Sequence, residues 1–244
     1  MAQPGVASVS GATRSAARPA AAPVPALENG DRLTRYEFER RYAARPDLKK
    51  AQLIEGIVYM PSPVSVSHAG PHAMIQTALL VYAASTPGVR GYDNATVRLD
   101  LDNEPQPDVL LCVDSAAGGA CRVSGDNYLE GAPELVVEVA AGSVSIDLHA
   151  KLRAYRRNGV QEYVVWRTQE ERIDWFELAE GEYRSLPADD AGVVRSRVFP
   201  GLRLAARALL RGDLAAALEE VRKGVGTPEH QAFVARLAKK RSST

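Results

Sequence analysis

Apolar residues recur along this chain in short runs punctuated by turn residues. Three of the runs, Val109-Leu110-Leu111-Cys112-Val113, Leu135-Val136-Val137-Glu138-Val139-Ala140 and Tyr163-Val164-Val165-Trp166, are continuous rather than alternating. Continuous β-branched runs of this length predict strands covered on both faces. Between the last two, Ile146 to Tyr155 has helical spacing, and Asn158-Gly159 stops it. Strand, helix and strand in that order predict a crossover between parallel neighbours. Ile173 to Leu178 and Tyr183 to Leu186, joined at Glu180-Gly181-Glu182, predict an antiparallel hairpin.

Upstream, Thr34 and Glu37 form a T-x-x-E capping box for a helix from Arg35 to Ala44, ended by Arg45-Pro46. Leu53 to Met60 predicts a strand or the start of a hairpin, broken by Pro61-Ser62-Pro63. Ser67 to Ala84 has helical spacing with Gly70-Pro71 in its first turn, and strands are expected at Val89 to Tyr92 and Thr96 to Leu101. Ser115 to Asn127 is expected to be a loop; its Gly118-Gly119 lacks the strand and helix context of a phosphate-binding loop. Downstream, Asp213 to Val221 is Ala/Leu/Glu-rich, and Thr227-Pro228-Glu229 opens a last helix. Leu209, Leu210, Leu214, Leu218 and Val221 form an apolar stripe expected to dock on the domain or on a second copy. From Ala2 to about Ala26 the chain is Ala/Pro/Ser/Val-rich and has too little to bury. The expected organisation is a disordered Ala/Pro-rich tail over 1–30, an α/β domain over 31–204 and a helical C-terminal extension over 205–244.

The chemistry concentrates where the pattern is violated. Glu138 stands inside an apolar strand, and a buried carboxylate is costly unless it is paired or holds a metal. Asp108 opens the neighbouring apolar run directly after Pro107, a residue suited to the first position of a strand. Two carboxylates on adjacent strands, with Lys151 on the following helix, suit a hard divalent cation, which takes oxygen ligands. Lys151 would then orient or deprotonate an attacking water, or neutralise charge building on a phosphate. Structural readings compete: Arg153 or Arg156 as an ion-pair partner for Glu138, and Asp147, four residues before Lys151, as a partner for the lysine. His68 and His72 are one helical turn apart and read either as metal ligands lacking a third nitrogen or sulfur ligand or as surface imidazoles, with His68 near a nucleic-acid backbone.

Composition narrows the setting. With 244 residues and 45% hydrophobic content the chain can bury a core, and 30 basic against 30 acidic residues give a net charge of +0. That balance excludes a general polycation for nucleic acid and leaves room for a local basic face such as His149, Lys151, Arg153, Arg156 and Arg157. Only two cysteines occur, Cys112 and Cys121, which suggests neither a disulfide framework nor a zinc site and fits a reducing, cytoplasmic setting. No apolar run approaches the ~20 residues of a membrane span, so no membrane partner is expected.

The order Glu55, Pro107-Asp108, Glu138, Lys151 resembles the Uma-two family of restriction endonucleases in the PD-(D/E)XK nuclease superfamily. So do the phrases from Gly131 to Val139 and from Gly159 to Trp166. The resemblance covers roughly Leu33 to Leu204 and rests on the combination of motifs. It implies a restriction-endonuclease-like mixed β-sheet flanked by helices, with a β-hairpin extension and the helical C-terminal appendage. It further implies Mg²⁺, or Mn²⁺, held by Asp108 and Glu138 with the Val139 carbonyl, Glu55 as an accessory acid, and hydrolysis of DNA phosphodiester bonds, with a homodimer expected for cutting two strands. One departure from the superfamily pattern is Ala140, which occupies the usual lysine position two residues after the glutamate, so Lys151 would reach in from the helix. That displacement, together with the neutral net charge, favours a second expectation: a catalytically inactive nuclease-fold protein that binds nucleic acid or a protein partner. A third is an assembly module working through the C-terminal helices.

Overall fold

The computed structural model describes Met1, residues 23–60 and residues 63–242. Most of the Ala/Pro-rich segment and the Pro61-Ser62 break lie outside the described residues. Helix α1 (Arg35–Ala43) leads to the strands β1 (Gln52–Ile54) and β2 (Ile57–Tyr59), helix α2 (Val66–Ala84), and strands β3 (Val89–Asp93), β4 (Val97–Arg98) and β5 (Val109–Val113). Strands β6 (Arg122–Val123), β7 (Leu129–Glu130) and β8 (Leu135–Ala140) follow, and then a π-helical turn, Ile146–Lys151, that runs straight into α3 (Leu152–Arg157). The chain continues with β9 (Glu162–Arg167), β10 (Arg172–Ala179), β11 (Glu182–Ser185), β12 (Val193–Arg195) and β13 (Arg203–Ala205). It ends in α4 (Ala206–Leu210), α5 (Leu214–Val225) and α6 (Pro228–Arg241). Among the described residues no helix is long and apolar enough to cross a membrane.

The three continuous apolar runs are the centre of a six-stranded mixed sheet in the order β11-β10-β9-β8-β5-β3. Strands β8 and β9 are its parallel pair, joined through the π-helical turn and α3 as the crossover pattern predicts, and the remaining pairings are antiparallel. Because side chains alternate along a strand, each run feeds two cores. Val109, Leu111, Leu135, Val137, Val139, Val164 and Trp166 pack on one face with α2 and the C-terminal helices. Leu110, Cys112, Val136, Ala140, Val165 and Tyr163 pack on the other with Tyr155 of α3. Glu138 falls between Val136 and Ala140 in this alternation, so it belongs to the α3 side.

Several local expectations need correction. Thr34 precedes α1 but its side chain makes no cap hydrogen bond; Glu37 instead pairs with Arg40 and Arg41 at 2.7 Å each. Of the two forms expected over Leu53 to Met60, a strand or the start of a hairpin, the hairpin is found, and its turn is Glu55-Gly56, both at positive φ. The strand expected over Thr96 to Leu101 shrinks to Val97–Arg98, which pairs in parallel with β7. Within the expected 115–127 loop, Arg122–Val123 forms a short strand against β7. Leu27, in the described part of the 1–30 segment, is buried with Phe38, Leu53 and Val58. The helices after 204 are equally integral: Leu209, Ala217, Val221, Phe233 and Leu237 share one core with Ile75, Tyr82 and Trp166. Asp213 and Thr227 cap α5 and α6, accepting from the backbone N–H groups of Ala216 and His230.

Glu162, at the start of β9, ties the central sheet to the turn before β13. It is fully buried and accepts hydrogen bonds from the Ser196 hydroxyl at 2.7 Å and from the backbone N–H groups of Arg197 and Val198 at 2.6 and 3.2 Å. Burial nevertheless pushes its carboxyl up to about 7. Since the folded value lies above that of the unfolded chain, the native state keeps this proton longer. The contribution is therefore complete below about pH 4.5 and is lost as the pH rises through about 7. Glu162→Ala leaves the two backbone donors without their acceptor and should cost roughly 1–3 kcal/mol in urea denaturation. Denaturation repeated from pH 4.5 to 8 should show the wild-type advantage over Glu162→Gln shrinking as the pH rises; an advantage independent of pH would contradict this account.

Candidate active site

The antiparallel register that sets Val109 opposite Val137 carries Asp108 to the position across from Glu138. The placement is fixed by a further bond, in which the Val139 N–H donates to Asp108 Oδ2 at 2.7 Å. His68 Nε2 approaches the same oxygen at 3.2 Å. One helical turn on, His72 Nε2 lies 3.2 Å from the Asp108 carbonyl oxygen and 2.9 Å from Asp93 Oδ1. Helix α2 thus lays both imidazoles against the entry edge of β5. Burial pushes the Asp108 carboxyl upward, but the His68 hydrogen bond, the Val139 N–H and the charges of His68 and Lys151 outweigh it and hold the group below its ordinary range. The same hydrogen bond to Asp108 raises His68.

Glu138 meets its partners from the other side. Lys151 Nζ lies 2.8 Å from Glu138 Oε2 and 3.1 Å from Asp147 Oδ1, and the Tyr155 hydroxyl donates to Glu138 Oε1 at 2.8 Å. The Ser143 hydroxyl donates to Asp147 Oδ2 at 2.5 Å, and Tyr163 donates to the Asp147 carbonyl at 2.9 Å. Asp108, Glu138, Asp147 and Lys151 are all 5% exposed or less. Three buried carboxylates therefore face one buried ammonium. Burial pushes Glu138 up to about 7, with Asp147 and Asp108 adding repulsion against the pull of Lys151. Desolvation works against the lysine's charge, yet Asp147 and Glu138 together keep its pKa above the ordinary value. An excess of negative charge on oxygen donors fits a divalent cation, and His68, His72 and Asp108 also bring one ligand atom each within 4.8 Å of the others.

The sequence expectations are met unevenly by this geometry. Asp108, Glu138 and Lys151 come together, and the structural reading of the lysine holds as well, since it pairs with Asp147 in addition to Glu138. The buried partner of Glu138 is Lys151 rather than Arg153 or Arg156. Val139 is adjacent through its N–H. Glu55 is placed differently: it stands in the β1-β2 turn, and its carboxylate is held by Arg153 at 2.6 Å and Arg157 at 3.1 Å. Those guanidiniums hold the Glu55 carboxyl below its usual range. Ser143 and Tyr155 were not foreseen, although Ser143, Asp147, Lys151 and Tyr155 recur every fourth residue, which puts them on one helical face. The proximity of His68 and His72 to Asp108 had no local signal beyond their own spacing.

The model of the Uma2 family, described as "Putative restriction endonuclease", matches residues 35–207. The chain belongs to that family. A solved structure from Anabaena variabilis ATCC 29413, titled as "a putative nuclease belonging to DUF820", superposes with a TM-score of 0.57 at 12% identity, covering 71% of this chain and 97% of that one. At that identity the likeness establishes the shared fold, a mixed α/β sheet flanked by helices. No curated protein matches the sequence.

Removing one member of a buried ion pair leaves its partner uncompensated, which costs ~3–5 kcal/mol. Lys151→Met should therefore lose about that much stability in urea denaturation, and Tyr155→Phe, which deletes one hydrogen bond to a charged group, about 1.5–3 kcal/mol. Equal stability of Lys151→Met and wild type would mean that the lysine is not the counter-charge of Glu138 and Asp147.

Proposed function

We propose that this Uma2-family chain is a metal-dependent endonuclease that hydrolyses DNA phosphodiester bonds, using Mg²⁺ or Mn²⁺. The observation that carries the reading is the convergence of Asp108, Glu138 and Lys151 from two strands and a helix into one buried, net acidic cluster. Asp108 is the central ligand, with Glu138 and the Val139 carbonyl completing the arrangement that the family resemblance implies. A divalent ion held there supplies Lewis acidity toward the scissile phosphate and acidifies a nucleophilic water.

The chain's own residues do the rest. Lys151 remains protonated between Glu138 and Asp147 and offers positive charge to the phosphate as negative charge builds on it. Tyr155 and Ser143 fix the two carboxylates that fix the lysine. Arg153 and Arg157, half exposed and bridged by Glu55, present guanidinium groups that suit backbone phosphates without reading bases. Glu55 is thereby assigned to orienting these arginines.

One observation favours a second reading, a nuclease-fold protein that binds nucleic acid without cutting. Both Glu138 oxygens already receive donors, from Lys151 and Tyr155, so the carboxylate is satisfied without a metal. Plasmid and single-stranded DNA cleavage with Mg²⁺ or Mn²⁺ separates the two. Cutting should be abolished by a chelator and fall by at least ~10²-fold in Asp108→Asn and Glu138→Gln, each checked for folding by circular dichroism. Folded wild-type protein that retards DNA in a gel but never cuts it would establish the binding reading instead.

A further inference from the structure

The first turns of α2 carry a feature that neither packing nor the two-carboxylate arrangement explains. Residues 63–70 are exposed except for His68, which turns inward. Its Nε2 reaches Asp108, while its Nδ1 is buried and without a hydrogen-bond partner among the described residues. His72, half-buried one turn later, aims Nε2 at the backbone of the same aspartate and at Asp93. The imidazole rings are 5.6 Å apart between centroids and nearly perpendicular, at 73°. Two histidines at i and i+4 on one helical face, closing on a carboxylate from another element, form a set of ligands to a single ion.

We infer that His68, His72 and Asp108 form an imidazole–carboxylate centre for a borderline divalent ion of the Mn²⁺, Co²⁺ or Zn²⁺ class. This deepens the proposed function, resting on Asp108 as the metal ligand, and reassigns the other protein ligands from Glu138 to the two histidines. The ligand atoms lie within 4.8 Å of one another. An ion with bonds of ~2.0–2.2 Å spans up to ~4.4 Å between opposite ligands, so small side-chain rotations close the site. Asp93, whose side chain is 46% exposed, supplies a further oxygen at the solvent edge. The Asp108 carboxylate receives both its hydrogen bonds among the described residues on Oδ2, from Val139 and His68, and ligation through Nε2 displaces His68 from that oxygen and His72 from the Asp108 carbonyl and Asp93. Glu138 then keeps its structural pairing with Lys151 and Tyr155 while the ion is bound. Imidazole nitrogen favours borderline transition ions, whereas Mg²⁺ and Ca²⁺ prefer oxygen throughout, so of the two ions in the proposed function the centre takes Mn²⁺ over Mg²⁺.

Cobalt titration of metal-stripped full-length protein, followed by the visible ligand-field absorption of Co²⁺, tests the inference without any substrate. His68→Gln and His72→Gln should each weaken Co²⁺ binding by about 100-fold or more, beyond the ~10–100-fold cost of outer-shell changes, while Glu138→Gln stays within ~10-fold. Thermal melts confirm that the variants fold, and competition with excess Mg²⁺ should fail to displace the cobalt. Binding that persists in both histidine variants but is lost in Glu138→Gln overturns the inference and returns the ion to the two carboxylates, as does the absence of any cobalt spectrum in the wild type. Histidine-dependent cobalt binding by a protein that cuts no DNA leaves this centre standing and removes the nuclease reading.

Discussion

Everything at this site depends on one buried ammonium. Lys151 lies between Glu138 and Asp147, and without it two carboxylates would sit uncompensated in the core between the sheet and α3. A charge there is tolerable only when it is paired and hydrogen-bonded, and beside the lysine the fold supplies one donor to each carboxylate: Tyr155 to Glu138 Oε1 and Ser143 to Asp147 Oδ2. The lysine therefore ties the π-helical turn before α3 to Glu138 on β8. Asp108 stands outside this arrangement, held by a backbone N–H and an imidazole rather than by the lysine's hydrogen bonds. That division leaves Glu138, Asp147 and Lys151 closed on one another, with Asp108 buried beside them and facing the half-buried His68.

Much of the fold was legible because it followed from local pattern. The parallel β8-β9 pair, the β10-β11 hairpin and the cap on α6 all came from signals within a few residues of the elements they define. Glu138 was legible for the opposite reason, as a charge breaking an apolar run. Asp108 needed only Pro107 and the run after it. What sequence could not reveal was long-range: His68 is 40 residues from Asp108, and nothing near either residue marks the approach of α2 to that strand edge. Glu55 misled because a strand-forming sequence surrounds it, while Gly56 after it permits the positive-φ turn that sends its carboxylate to Arg153 and Arg157. The capping box at Thr34 failed because Glu37 found two arginines on its own helix, a stronger local offer than a backbone N–H. The C-terminal helices resembled an appendage because their apolar stripe has no partner in its own stretch of sequence; the partner is α2.

The strand position two residues after Glu138 is enclosed by packing. Ala140, two residues after Glu138, points to the same side of the sheet and is fully buried beside Tyr155 and Tyr163. A long cationic side chain rooted there would enter this buried cluster, in which the Tyr155 and Tyr163 rings are 5.0 Å apart. Alanine leaves that space to the helix, and the helix returns the charge from above. The π-helical turn Ile146–Lys151 makes this delivery, and turns of that kind are rare in helices and frequent at functional sites. The stripe of Ser143, Asp147, Lys151 and Tyr155 then lays donor, acid, base and donor along one line over Glu138. Glu138 thus meets an ammonium that comes from the following helix and not from its own strand.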